Sequence, residues 1–226
     1  MIERIKKSLQ TKLKTLLVLL VTVVLYNGWE PSLGIFPTGF YDFTFNHYGA
    51  VDILTFSLIM IIAYKNGAFR KFFDIFRWKN LLFILFFIIG GIVFIALAHK
   101  LYFQMTSALV AFPEHGVDVA NSLARTPFWT HSLDLFVIGP ICEELIFREY
   151  LYRLFDKKWL ACFVSVVVFA WIHTGFTYSF FFYLPMSLVV TLAYHRRKAI
   201  GESIILHSSI NLINNYLPYL LNFLVP

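Results

Sequence analysis

The sequence predicts an all-α fold: a polytopic transmembrane bundle of about seven spans, with six to eight compatible, and a polar cavity between spans 4, 5 and 7. Three observations predict it. Hydrophobic residues make up 59% of the 226-residue chain and charged residues only 14%, against about 25% in a soluble domain. Mean hydropathy is +0.71. The apolar residues, 26 phenylalanines among them, fall in runs long enough for helices to cross a bilayer. No internal repeat, low-complexity tract or soluble domain interrupts them, so residues 1–226 read as a single integral membrane domain.

The elements follow in order. Residues 1–14 are a basic amphipathic lead-in, and 15–29 form a first span extended by snorkelling lysines. The basic start before an apolar run resembles a signal peptide, but no small-residue cleavage site follows, so it reads as a retained helix. Residues 30–48 are a loop in which Trp29, Phe36, Phe40 and Tyr41 suit a membrane interface. Residues 49–64 are the second span and 65–80 an interfacial helix. The third span, 81–103, has Gly90 and Gly91 in its middle, which allow close helix contact. Residues 104–130 are the longest polar loop, with a short surface helix before Pro127; Glu114 and His115 read there as ordinary solvated residues. Four spans follow, over 131–155, 159–176, 179–195 and 199–224.

Charge fixes the orientation. Four segments, 1–14, 65–80, 148–158 and 196–198, hold 17 of the 19 lysines and arginines, and alternate spans put all four on one side. The positive-inside rule makes that side cytoplasmic, with the N-terminus in the cytoplasm. The net charge of +6 is thereby explained by topology and implies no nucleic-acid partner. The lipid bilayer is the expected surrounding. Cys142 and Cys162 both fall in spans, so no disulfide framework is expected.

The chemistry is concentrated in Pro140–Leu151, where Glu143, Glu144 and Arg148 sit in an apolar run. A charge at the centre of a span costs roughly 2.5–3.5 kcal/mol on insertion scales, so such groups face a protein interior or wet cavity. Glu144 and Arg148 are four apart and share a helix face, where they neutralise each other. Glu143 is left without a local partner, the kind of carboxylate that serves as a general base or acid. His173 lies near the end of the fifth span, one turn after Phe169. His207 and Asn211, also one turn apart, lie in the seventh. Glutamate and two histidines can perform acid–base chemistry on water, and a neutral asparagine amide can donate to an oxyanion. At about 1.5 Å of rise per residue, His207 lies about 12 Å and His173 about 21 Å from the cytoplasmic start of its span.

Bland readings apply elsewhere. Cys142 is a small buried hydrophobe, Trp171 packs or lines the cavity, and Asp134 is interfacial. Glu202 is a solvated cap partner, and Asn214 and Asn215 are packing or lumen-facing.

The motifs Glu-Glu-x-x-x-Arg (143–148), Phe-x-x-x-His (169–173) and His-x-x-x-Asn (207–211) resemble, in order and spacing, those of the CAAX-protease and bacteriocin-processing family, also called Abi. The resemblance covers roughly residues 130–215, including the basic turn and glycine before the last motif. It implies an intramembrane glutamic endopeptidase. In that reading Glu143 activates water with help from His173, and His207 and Asn211 bind the oxyanion. Arg148 holds Glu144 and the helix in place. The expected substrate is a peptide or protein entering from the membrane or the cytoplasmic side. No cofactor is expected. Zinc is a lesser alternative, because the sequence lacks His-Glu-x-x-His, which sets two ligands and a base on one turn. The resemblance to bacterial members implies a plasma-membrane protease acting in bacteriocin self-immunity or peptide processing. One rival is a non-catalytic scaffold of the same fold that controls a partner membrane enzyme or sensor kinase. A transporter is disfavoured by the short chain and the missing repeat.

Overall fold

A computed structural model describes residues 2–27, 48–106 and 132–224. The expectations for Trp29, Phe36, Phe40, Tyr41, Glu114, His115 and the surface helix before Pro127 lie outside the described residues. Among the described residues the chain is helical, without strands. Seven α-helices are present: α1 (Ile2–Asn27), α2 (Tyr48–Lys65), α3 (Trp78–Thr106), α4 (Gly139–Glu144), α5 (Lys158–Thr174), α6 (Ser179–Arg197) and α7 (Ile200–Leu224). Two are long and apolar enough to cross a membrane, over Lys6–Asn27 and Trp78–Met105.

The lead-in and first span are one continuous helix. The 65–80 segment is corrected: it is not one helix. Gly67 takes a left-handed φ of 71°, which a side chain would oppose. The chain then turns into a short 3-10 stretch, Phe72–Phe76, before α3 begins at Trp78. Ile75 is buried there, while Phe73, Phe76 and Trp78 are exposed.

Helix α6 is central and packs on α5, α3 and α7, while α1 packs on α2 and on the segment after α4. The α3–α6 approach depends on Gly91, where a Cβ would stand 2.7 Å from Val189 Cγ1. Gly90 faces open space, so only one glycine of the pair serves the contact. One core joins Leu19, Ile59, Cys142, Leu145, Phe147, Phe169 and Tyr194; a second joins Ile95, Val189, Val190, Leu206 and Ile210. The outward faces are apolar too: Phe86, Leu97, Phe163, Ile172 and Phe181 are all exposed. So much outward hydrocarbon is costly in water and is the normal surface of a protein in lipid.

The four basic segments meet at one end of the bundle. Lys12 pairs with Asp156 at 2.6 Å. Lys71 Nζ donates to the Arg197 carbonyl at 2.9 Å, and Arg197 lies 3.9 Å from Asp74. Glu202, expected to be solvated, is fully buried under this end; Arg196 and Arg197 both reach its Oε1, at 2.7 and 2.9 Å. The 3-10 stretch covers it, with Phe72 packed so closely that a Cβ on Gly201 would meet its ring at 3.0 Å.

Candidate active site

The site is built on a helix that is twice wound as π. A π stretch, Asp134–Ile138, leads into α4, and a second, Leu145–Leu151, follows it. Pro140 accounts for the first. It has no N–H, so the carbonyls one turn before it lose their usual donor, and the Gly139 N–H reaches back to Asp134. The Leu135 carbonyl is served instead by Asn211 Nδ2 on α7, at 3.0 Å. In the second stretch, Ser165 on α5 donates to the Phe147 carbonyl at 3.0 Å. The wide winding is thus held from outside by side chains of two neighbouring helices.

Adjacent positions on a helix point about 100° apart, and Glu143 and Glu144 separate accordingly. Glu144 faces inward and is fully buried. Its Oε1 is shared by Arg148 Nη1 at 3.2 Å and His207 Nδ1 at 2.8 Å. Arg148, also fully buried, stands 4.2 Å over the Phe169 ring and reaches Ser187 at 3.4 Å. Phe169 touches three of the groups at once. Its ring is 4.4 Å from that of His173 and 5.8 Å from that of His207, centroid to centroid. The phenylalanine of its motif therefore has the two imidazoles and the guanidinium around one ring.

Glu143 faces the other way. Its Oε2 is 3.6 Å from His173 Nε2 and 3.8 Å from His207 Nε2, and the Tyr26 hydroxyl of α1 donates to its Oε1 at 3.5 Å. His173 Nδ1 lies 2.7 Å from the Phe169 carbonyl, which can only accept, so Nδ1 carries a proton. His207 Nδ1 is held likewise by Glu144. Both imidazoles are therefore oriented by their far nitrogen and present Nε2 towards Glu143, the arrangement in which a second hydrogen bond fixes tautomer and aim. The His173 ring also stacks on Tyr183 of α6 at 5.4 Å.

The three motifs, far apart in the chain, thus meet within 4 Å at one carboxylate. Asn211 joins through the backbone of the π stretch, with one of its two amide hydrogens directed to Leu135. Sequence reasoning missed Tyr26, Tyr183, Ser165 and Ser187, for which no spacing rule exists. It also missed Glu149, fully buried, bound by Arg153 and by the Tyr194 hydroxyl at 2.9 Å. Its signal was present: Glu149 and Arg153 repeat the four-residue spacing of Glu144 and Arg148. Cys142 is a buried core residue. Among the described residues no three His, Cys, Asp or Glu side chains are disposed as a metal site.

The described residues thus form an all-helical bundle with a glutamate–histidine cluster held inside it. Residues 125–213 match the family model described as type II CAAX prenyl endopeptidase Rce1-like. The chain is 80% identical over 225 residues to the UPF0177 protein YbdJ of Lactococcus lactis subsp. lactis (strain IL1403), covering 100% of both. It is 41% identical over 168 residues to YbdI of the same strain, covering 74% of this chain and 92% of that one. A UPF0177 protein in the abiGi 5′ region of Lactococcus lactis subsp. cremoris is 35% identical over 152 residues, covering 67% and 64%. No solved structure matches. The chain belongs to the UPF0177 proteins of the CAAX-protease and bacteriocin-processing family.

Proposed function

We propose that this protein is an intramembrane endopeptidase that hydrolyses a peptide bond with water activated by Glu143. The observation that carries the proposal is the convergence of two imidazole Nε2 atoms on Glu143 Oε2, each aimed by a bond from its own Nδ1. A water held there gives one hydrogen to Glu143 Oε2 and the other to His173 Nε2. Glu143 takes the first proton as the oxygen attacks the scissile carbonyl, and passes it to the departing amine. His207, held at Nδ1 by Glu144, and the second amide hydrogen of Asn211 serve the oxyanion. Arg148, Glu144 and Phe169 are positioning residues. They hold the imidazoles and touch no reacting atom.

The reading includes seven spans, an N-terminus in the cytoplasm and a bacterial plasma membrane, supported by the gathering of the basic segments at one end. The biological role is bacteriocin self-immunity or peptide processing, and it rests on family membership alone. The test uses purified wild type and Glu143→Gln in detergent, each given peptides extracted from native membranes. Wild type is expected to generate new termini and Glu143→Gln none. Equal turnover by the variant contradicts the mechanism.

A further inference from the structure

The bundle is asymmetric about its reactive carboxylate. Towards the basic end lies a closed layer: Glu144, Arg148, Ser165 and Ser187 are fully buried and Phe169 almost so. The layer is tied across three helices, since Arg148 reaches Ser187, Ser187 donates to the Val166 carbonyl at 3.1 Å, and Ser165 donates to that of Phe147. Glu143 and His173 lie on its far side. Their side chains keep 18% and 16% of their surface accessible. What accessibility the site has therefore does not come through the layer.

Three helices place the site near their far ends; on α7, His207 is seven residues beyond the start at Ile200, about 10 Å. His173 is fifteen residues beyond the start of α5 at Lys158, about 22 Å along the axis. Its partner Tyr183 is fourteen residues before the end of α6 at Arg197, about 21 Å. Tyr26 is fourteen residues beyond Lys12, whose partner Asp156 marks the basic end, again about 21 Å. Exposed phenylalanines occur along the helices, but exposed tryptophans and tyrosines lie near two levels: Tyr64, Trp78 and Trp159 at the basic end, and Trp171 and Tyr178 around the turn between α5 and α6. Aromatic belts mark the two membrane surfaces. From Trp159 to the end of α5 at Thr174 is fifteen residues, about 22 Å, against a hydrocarbon core of about 30 Å. His173 is the last residue but one of α5 and so lies at the far end of that helix.

We propose that the site is loaded from the face opposite the basic loops, the external face in the orientation adopted above, and that its substrate is the extracytoplasmic, membrane-proximal segment of a peptide or protein. This replaces the cytoplasmic entry expected from sequence, and it rests on the peptidase reading. A bond beside His173, at the far end of α5, is reached by a chain emerging on that side. The same bond presented from the cytoplasm meets the Arg148–Glu144–Phe169 layer. Substrates in this class are translocated or membrane-held peptides whose scissile bond lies outside the cytoplasm.

The test reads accessibility directly, independently of cleavage. In full-length protein with Cys142→Ala and Cys162→Ala, single cysteines are placed at Thr177 in the far turn, at Lys157 at the basic end, and in the site as Glu143→Cys. Tyr183→Cys is a second site probe in case the first does not fold. Intact cells receive a small membrane-impermeant thiosulfonate, and matched samples are permeabilised. The expected result is labelling of Thr177→Cys and of the site cysteine in intact cells, and of Lys157→Cys only after permeabilisation. Site labelling that appears together with Lys157→Cys only after permeabilisation overturns the proposal, as does a site cysteine that no reagent reaches from either face. Labelling of Lys157→Cys in intact cells inverts the orientation and overturns it too. Outer-face labelling with no Glu143-dependent cleavage leaves the access route standing and removes the peptidase reading.

Discussion

Replacing Arg148 by methionine tests whether the Glu144–Arg148–His207 cluster holds the bundle together. The guanidinium and the carboxylate are both fully buried, 3.2 Å apart. Removing one partner of such a pair leaves an uncompensated charge and costs about 3–5 kcal/mol. Here His207 Nδ1 remains 2.8 Å from the same oxygen, which favours the lower figure of about 3 kcal/mol. The contact with Phe169, 4.2 Å from the guanidinium carbon, adds about 1 kcal/mol. The two Ser187 contacts at 3.4 Å are long and add little. A loss of about 4 kcal/mol corresponds to a fall of roughly 8–16 °C in Tm for a chain of this size. The assay is thermal unfolding in detergent, followed by tryptophan fluorescence. Glu144→Gln with Arg148→Met removes both charges while keeping an acceptor for His207, so it recovers more than half of the loss. A single variant that melts within 2 °C of wild type, or a double variant no better than the single, refutes the reasoning, that threshold being roughly 0.5–1 kcal/mol.

Other expectations follow from the same geometry. Asn211→Leu orphans the Leu135 carbonyl and costs about 1–3 kcal/mol. Pro140→Ala restores a backbone donor one turn away, so the Asn211→Leu penalty shrinks in that background, a coupling read from a double-mutant melting cycle; equal penalties in both backgrounds would dismiss Pro140 as the cause of the π stretch. Gly91→Ala forces a Cβ against Val189 and lowers stability by about 1–3 kcal/mol. Val189→Ala relieves it, and Gly90→Ala is neutral or slightly stabilising. Equal melting of the two glycine variants would show that the α3–α6 approach is looser than described.

What the sequence could disclose depended on how local each cause was. The Glu144–Arg148 pair was legible because one helical turn sets it. The histidines were legible as inward groups because an ionisable side chain in an apolar run has few tolerable places. Their separation in depth was not resolved: straight, parallel helices put His207 and His173 at different levels, yet both Nε2 atoms approach Glu143. Pro140 was visible, but its π stretch depends on Asn211, 71 residues away in the chain, to serve the freed carbonyl. Glu202 was misread for a similar reason. Beside two arginines it looks solvated, and tertiary packing, with Phe72 against the neighbouring Gly201, removes it from water. Tyr26 had no signal, since a tyrosine at the end of a first span is common and its reach to Glu143 is set by the packing of α1.

The central claim is that Glu143 turns over a peptide bond. The most direct measurement compares membrane-peptide termini in native cells carrying wild type or Glu143→Gln at equal abundance. The expected result is at least one terminus present with wild type and absent with the variant, which establishes proteolysis and names the substrate together. Identical termini, with the cellular phenotype intact in the variant, contradict the account and leave a scaffold of the same fold that acts by binding a partner membrane protein.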